Sequence, residues 1–286
     1  MADELIALFR ENNWVLTNQQ LVAAGLSPKQ IVRLTRRGIL TSPRRGTFMP
    51  GTVAESASAD KSRAEALRVS AVIAASSMGV IASHRSAAIM HGLDLLTVAS
   101  ARVVTVTQPR RGGGSRSGYP AVRVRTAEVP QEHVTTRFGV PCTTVARTVI
   151  DLARNGSFDA GVVVADNALH AKKTTRGDLE AILARCSRWP GIATARRAVE
   201  FSDERAESVL ESLARVIMAE HDLDPPELQV WVGGEGSRIG RVDFLWRKHR
   251  TIAEADGKAK YEDPRRASWQ LRIKAAFERA SRLGSG

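Results

Sequence analysis

Three carboxylates and a lysine gather near the C-terminus, in Gly240-Arg241-Val242-Asp243-Phe244-Leu245-Trp246 and Thr251-Ile252-Ala253-Glu254-Ala255-Asp256-Gly257-Lys258. Side chains alternate along a strand, so Glu254, Asp256 and Lys258 share one face, and Asp243 on a partner strand joins them. Acids held this close need a hard cation, and Mg²⁺ takes oxygen ligands with waters completing its shell. A metal-bound water beside a lysine is the chemistry of phosphodiester hydrolysis. Asp243, Glu254 and Asp256 are the candidate metal ligands, and Lys258 is the candidate catalytic residue. Glu207 and Glu211, one helical turn apart on a preceding helix, offer a further carboxylate.

A second set of chemical groups lies at the other end. Residues 1–50 contain seven basic and three acidic side chains, and Lys29, Arg33, Arg36, Arg37, Arg44 and Arg45 all fall between 29 and 45. Arginine and glutamine bond guanine and adenine edges bidentately, and arginine holds phosphates. With Ile31 and Leu34 facing a core, Lys29, Gln30, Arg33, Arg36 and Arg37 point outward as candidate contacts to double-stranded DNA. Arg44 and Arg45 lie at the tip of a following turn. The whole chain has 42 Lys+Arg against 30 Asp+Glu, a formal charge of +12. That excess favours a polyanionic partner, but placement rather than total makes the case.

The elements that must position these groups follow from local signals. Glu4 to Phe9 reads as a first helix. Thr17 caps a second helix that carries Leu21 and Val22 and stops at Gly25. Ser27-Pro28 opens a third that runs to Arg37 and ends at Gly38. Ile39-Leu40, the basic turn Ser42-Pro43-Arg44-Arg45-Gly46, and Thr47-Phe48-Met49 read as strand, turn and strand. This is a winged helix-turn-helix over residues 1–50. Residues 51–62, rich in Ala, Ser and Thr, read as a linker to a middle α/β domain over 65–200. In that domain Ala64–Ser77, Thr144–Arg154 and Thr174–Cys186 read as helices, and Arg102–Thr107 and Ala121–Arg125 as strands across a basic glycine loop, 109–118. His84 and His91 sit on one helical face without cysteine or carboxylate neighbours, so they read as structural. A third domain, 203–286, begins with a helix over Glu204–Glu220. Strands at 228–232, 240–246 and 251–256 and a last helix at 264–283 complete it.

The chain has 286 residues and 43 % apolar content, enough for several cores,. Its two cysteines, Cys142 and Cys186, are far apart and show neither disulfide-scaffold nor zinc spacing,. No run of signal-peptide or membrane-span length is present, so the expectation is a cytoplasmic protein with no membrane partner.

Residues 13–50, the segment Ser83–Leu93 and the segment Gly139–Ala153 resemble the AbiEi-type antitoxins of type IV toxin–antitoxin systems. The resemblance covers about residues 1–200. It implies a winged helix that binds promoter DNA and represses its own operon, and a second domain that serves repression or neutralises a nucleotidyltransferase-like toxin. Residues 204–263, through Ala206-Glu207-Ser208, Pro226-Glu227-Leu228-Gln229 and the carboxylate segments above, resemble the DUF559 group of the PD-(D/E)xK restriction-endonuclease-like superfamily. That likeness implies Asp243 and Glu254 or Asp256 as metal ligands and Lys258 as the catalytic lysine. Here Glu254-x-Asp256 puts an acid where the lysine belongs, and Asp256-x-Lys258 restores it at another offset. After Leu283 little room is left for the strand that should follow, so a shortened core that binds without cutting is expected.

The expected fold class is therefore α+β and multi-domain: a winged helix-turn-helix, an α/β middle domain and a shortened restriction-endonuclease-like α/β domain. The leading expectation is a DNA-binding, antitoxin-type repressor. A Mg²⁺-dependent endonuclease targeted by its winged helix and a toxin-neutralising interaction protein are the alternatives.

Overall fold

The computed structural model describes residues 2–76, 79–96, 103–109, 121–234 and 237–255, and the chain divides into two compact units, Met1–Leu152 and Ala153–Gly286. In the first unit, α1 (Ala2–Glu11), β1 (Leu16–Thr17), α2 (Asn18–Ala23) and α3 (Pro28–Arg36) lead into a hairpin of β2 (Leu40–Arg44) and β3 (Thr47–Pro50). Both α2 and α3 open on a capping box, Thr17 with Gln20 and Ser27 with Gln30. The cap hydroxyl accepts from the glutamine N–H, and the glutamine side chain accepts from the cap N–H, so two orphan donors are satisfied at each helix start. Gly25 and Gly38 leave these helices at φ +93° and +71°, left-handed conformations that glycine adopts without Cβ strain,. Phe9, Leu16, Leu21, Ile31 and Leu40 close into one core, and β3 sits between β1 and β2 in an antiparallel sheet.

Residues 51–62 are not a linker. They contain α4 (Gly51–Ser58) and the start of α5 (Lys61–Ala74). The alanines that gave the stretch its low complexity are also the best helix formers. A Cβ at Gly51 would collide with the Gly38 carbonyl oxygen, so glycine lets α4 begin directly against the end of the α3 turn. Helix α5 then joins two cores. Leu67, Ala71 and Ala74 pack with Val15, Met49 and Ala54. Ala66, Val69 and Val72 pack with residues of a five-stranded sheet. The winged helix-turn-helix is thus mounted on α5.

That sheet comprises β4 (Ile81–Ala82), β5 (Val104–Gln108), β6 (Val122–Thr126), β7 (Val134–Arg137) and β8 (Val140–Thr143), in the order β6-β5-β4-β8-β7, with α6 (His84–Met90) between β4 and β5. The strand pair anticipated near 104 and 122 is parallel in register Val104↔Val122, and the short β4 and the β7–β8 hairpin complete the sheet. His91 Nε2 lies 2.8 Å from the Thr143 carbonyl oxygen, and His84 Nδ1 lies 3.1 Å from the Ser83 hydroxyl. Both contacts are within the packed interior. Apart from Pro109, the basic glycine loop lies outside the described residues.

Helix α7 (Val145–Asn155) crosses the division, and the second unit continues with α8 (Phe158–His170), α9 (Arg176–Arg185), α10 (Ile192–Phe201) and α11 (Val209–Glu220). Three antiparallel strands follow, β9 (Glu227–Gly234), β10 (Ser237–Trp246) and β11 (Thr251–Ala253), with β10 in the middle. The single helix expected from Glu204 starts only at Val209, because Ser208 is its N-cap and accepts from the Glu211 N–H. Ala214, Met218, Leu228, Phe244 and Ala253 join α11 to the strands in one core. The helix expected over 264–283 lies outside the described residues.

Asp166 on α8 binds α11 through Arg215 Nη1 at 2.7 Å and also accepts from the Asp203 N–H at 2.7 Å. Burial dominates those favourable contacts and pushes its carboxyl from 3.8 to about 6,. A folded-state value above the unfolded one stabilises the fold fully below pH 3.8, and that contribution is lost as pH rises through about 6,. Wild-type stability should therefore fall, relative to Asp166→Asn, by on the order of 3 kcal/mol between about pH 4 and 7. Parallel urea titrations of both proteins at the two pH values check this, and equal pH dependence would contradict it.

Candidate nucleic-acid interface

The hydrophobic spacing of α3 decides which of its side chains face solvent. Ile31 is buried and Leu34 half-buried in the N-terminal core, so Lys29, Gln30, Arg33 and Arg36, with Arg37 at the C-cap, are all exposed. Arg33 and Arg36 fall in the last turn of the helix, where cations complement the dipole,. The hairpin register pairs Arg44 with Thr47, which leaves Arg45 and Gly46 as the turn itself. Gly46 adopts φ +80°, and Arg45 is exposed at the tip while Arg44 is half-buried. Hydroxyls of Ser42 and Thr47 donate to the Arg44 carbonyl oxygen at 2.8 and 2.9 Å, and the Asn18 N–H donates to that of Gly46 at 2.9 Å. The wing tip is thereby tied to the start of α2.

The basic side chains of this surface differ from several arginines of the second unit. Among the described residues, no carboxylate pairs with Lys29, Arg33, Arg36, Arg37 or Arg45. In the second unit, by contrast, Arg205 pairs with Asp203, Arg215 with Asp166, Arg241 with Glu207 and Arg247 with Glu227, at 2.7 to 2.8 Å. Unpaired guanidinium groups keep their full donor capacity for phosphates and base edges. The helix-turn-helix and its wing present such groups on a frame fixed by two capping boxes and a shared core.

Gln30 stands apart from its neighbours. Its side-chain oxygen accepts from both the Ser27 N–H and the Ser27 hydroxyl at 2.8 Å, so a bidentate contact to adenine would require opening the cap,. Val32 was not among the residues expected to matter, yet it is 50 % exposed in the middle of α3, beside the arginines. An exposed methyl pair there suits contact with a thymine methyl group. Its signal in the sequence is an apolar residue next to Ile31, off the spacing that builds the core.

Glu207 and Glu211 are arranged differently from their sequence reading. Glu207 precedes the cap of α11 and does not share a helix with Glu211; its N–H donates to Glu211 Oε2 at 2.9 Å, and its carboxylate holds Arg241. The Gln229 amide donates to Glu211 Oε2 at 2.9 Å and to Asp243 Oδ1 at 3.0 Å, and the Ala255 N–H donates to Asp243 Oδ2 at 2.9 Å. Both oxygens of Asp243 thus already accept from N–H donors, and Glu254 is exposed. Asp256 and Lys258 lie outside the described residues. No group of three His, Cys, Asp or Glu side chains able to hold a metal occurs among the described residues, and two of the four expected site residues lie outside them.

With this geometry in view, the relationships of the chain are specific at its N-terminus. Residues 3–51 match the family model described as transcriptional regulator, AbiEi antitoxin. The match runs from α1 to the first residue of α4 and so covers the helix-turn-helix and wing. Two Mycobacterium tuberculosis relatives, Uncharacterized protein MT2308 and Uncharacterized protein Rv2248, are each 34 % identical over 142 residues, 50 % of this chain and 51 % of theirs. The chain spans about half the length of the curated relatives it matches. The crystal structure of RV2827C protein from Mycobacterium tuberculosis is similar at TM-score 0.41 and 17 % identity, over 69 % of this chain and 78 % of that one. No helix among the described residues is long and apolar enough to cross a membrane.

Proposed function

We propose that this protein is a DNA-binding transcriptional repressor of the antitoxin type, acting on the promoter of its own operon. The carrying observation is the set of exposed basic side chains on α3 and the wing tip, Lys29, Arg33, Arg36, Arg37 and Arg45, that have no carboxylate partner among the described residues. The AbiEi match over residues 3–51 supports the same reading. In this reading α3 enters the major groove, where Arg33 reaches a base edge and Arg36 and Arg37 hold phosphates, while Arg45 reaches the backbone or minor groove beside it. The partner implied by the antitoxin resemblance is a nucleotidyltransferase-like toxin encoded alongside, and the compartment is the one that holds the DNA. The endonuclease alternative draws no support from the described residues, because Asp256 and Lys258 are not among them.

The test is binding of the full chain to its own promoter and to random duplex across a salt series. Arg33→Ala should cost about 1–3 kcal/mol on the promoter and relax sequence preference. Arg45→Ala should weaken both duplexes alike and make the salt slope shallower by about 1. Indistinguishable affinity for promoter and random DNA at moderate salt would sink the repressor reading.

A further inference from the structure

We infer that α3 reads the keto bases of its operator, guanine and thymine, and that Val32 is the residue that selects thymine, through its C5 methyl group. This rests on the DNA-binding reading above and adds the chemistry of what α3 recognises. At about 3.6 residues per turn, Lys29, Val32, Arg33 and Arg36 fall on one stripe of the helix, opposite Ile31 and Leu34, which hold it to the core,. All four are exposed, and Val32 stands among the cations at 50 % accessibility.

The hydrogen-bonding inventory of α3 is one-sided. Lysine and arginine side chains only donate. The helix sequence, PKQIVRLTR, contains no aspartate or glutamate. Its other polar side chains, and that of its cap, are committed locally. The Gln30 side-chain oxygen accepts from the Ser27 N–H and the Ser27 hydroxyl, both at 2.8 Å, which leaves only N–H groups of that amide for another partner. The Ser27 hydroxyl in turn accepts from the Gln30 N–H at 3.3 Å. Thr35 is half-buried, and its hydroxyl turns back to donate to the Ile31 carbonyl oxygen at 2.9 Å. Among the described residues, α3 therefore presents donors and methyl groups to a groove, and no exposed, uncommitted acceptor.

That inventory selects among base edges. In the major groove guanine shows the N7 and O6 acceptors and thymine shows the O4 acceptor and a methyl group, whereas adenine and cytosine each carry an amino donor. A donor-only helix satisfies the first two. It leaves the amino groups of the other two unmet, and a polar group left unpaired in a closed interface forfeits its hydration. Val32 adds what the cations lack, because the thymine methyl is the one alkyl group that a base edge offers it.

Modified duplexes of the promoter test this with the full-length protein. Uracil in place of thymine removes only the methyl group, deazaguanine lacks the guanine N7 acceptor, and deazaadenine lacks that of adenine. Scanned one at a time across the bound site, at least one uracil should weaken binding roughly threefold. At least one deazaguanine should weaken it roughly tenfold, and no deazaadenine by more than roughly twofold. Val32→Ala should abolish the uracil penalty and leave the deazaguanine penalty in place. Val22→Ala, at an exposed valine on α2, should leave both, and neither variant disturbs a core. A uracil penalty that survives Val32→Ala, or none at any position, overturns the role of Val32. A deazaadenine penalty as large as that of deazaguanine overturns the keto-base reading. Under either result, preference for promoter over random duplex leaves the repressor reading standing. Equal binding to promoter and random duplex sinks that reading, and this inference with it.

Discussion

Asp151→Ala is expected to lower folding stability by about 3–5 kcal/mol, because it leaves the Arg147 guanidinium buried without its counter-charge. Arg147 and Asp151 are each 1 % exposed, one turn apart on α7, with Nε donating to Oδ2 at 2.8 Å. Arg147 Nη1 also lies 3.1 Å from His133 Nδ1, which ties α7 to the short turn before β7. Single domains are stable by only about 5–15 kcal/mol, so this one change brings the first unit close to unfolding. Glu227→Ala is the control. It removes the partner of Arg247 from an exposed pair with side chains 66 % and 46 % accessible, and should cost less than about 1 kcal/mol,. Calorimetric midpoints of the two variants separate the cases, and similar small losses in both would show that the α7 pair has an alternative way to satisfy Arg147.

Removing Arg33, Arg36 and Arg45 together by alanine substitution should weaken promoter binding by roughly a thousandfold near physiological salt and make the salt slope shallower by about 1.8, the share of the two backbone contacts. None of the three has a carboxylate partner among the described residues, so the thermal midpoint should stay where it is. The companion variant replaces Arg205, Arg241 and Arg247, which are committed to Asp203, Glu207 and Glu227. It removes the same total charge and should change DNA affinity by less than roughly threefold, since those charges are already neutralised locally. Fluorescence anisotropy on one promoter duplex compares the two, and equal weakening would mean that bulk charge, not the α3 and wing surface, drives binding.

Much of the N-terminal surface was legible in the sequence, and the reason is that its determinants are short-range. A capping box is completed within three residues, so Thr17 with Gln20 and Ser27 with Gln30 announce the starts of α2 and α3,. Gly25 and Gly38 mark their ends, and the Arg45-Gly46 turn marks the wing. The outward set on α3 followed from Ile31 and Leu34 alone. The same spacing rule led to a single helix from Glu204, however, and there the Ser208 cap, itself a local signal, moved the start to Val209.

Other features depend on what surrounds a residue, and the chain order does not carry that information. The low-complexity stretch 51–62 became α4 and the start of α5 because Gly51 fits against the Gly38 carbonyl and α5 has cores to bury on two sides. Asp243 is an acid in a strand by its sequence; only folding brings it to the Gln229 amide and the Ala255 N–H. Residue types and near-neighbour spacing therefore determined the helix-turn-helix, the wing and their outward charges, because a cap or turn is satisfied within one helical turn. Tertiary structure decided which charges are buried and which are paired across the fold, because pairs such as Arg215–Asp166 and Arg241–Glu207 join elements distant in the chain.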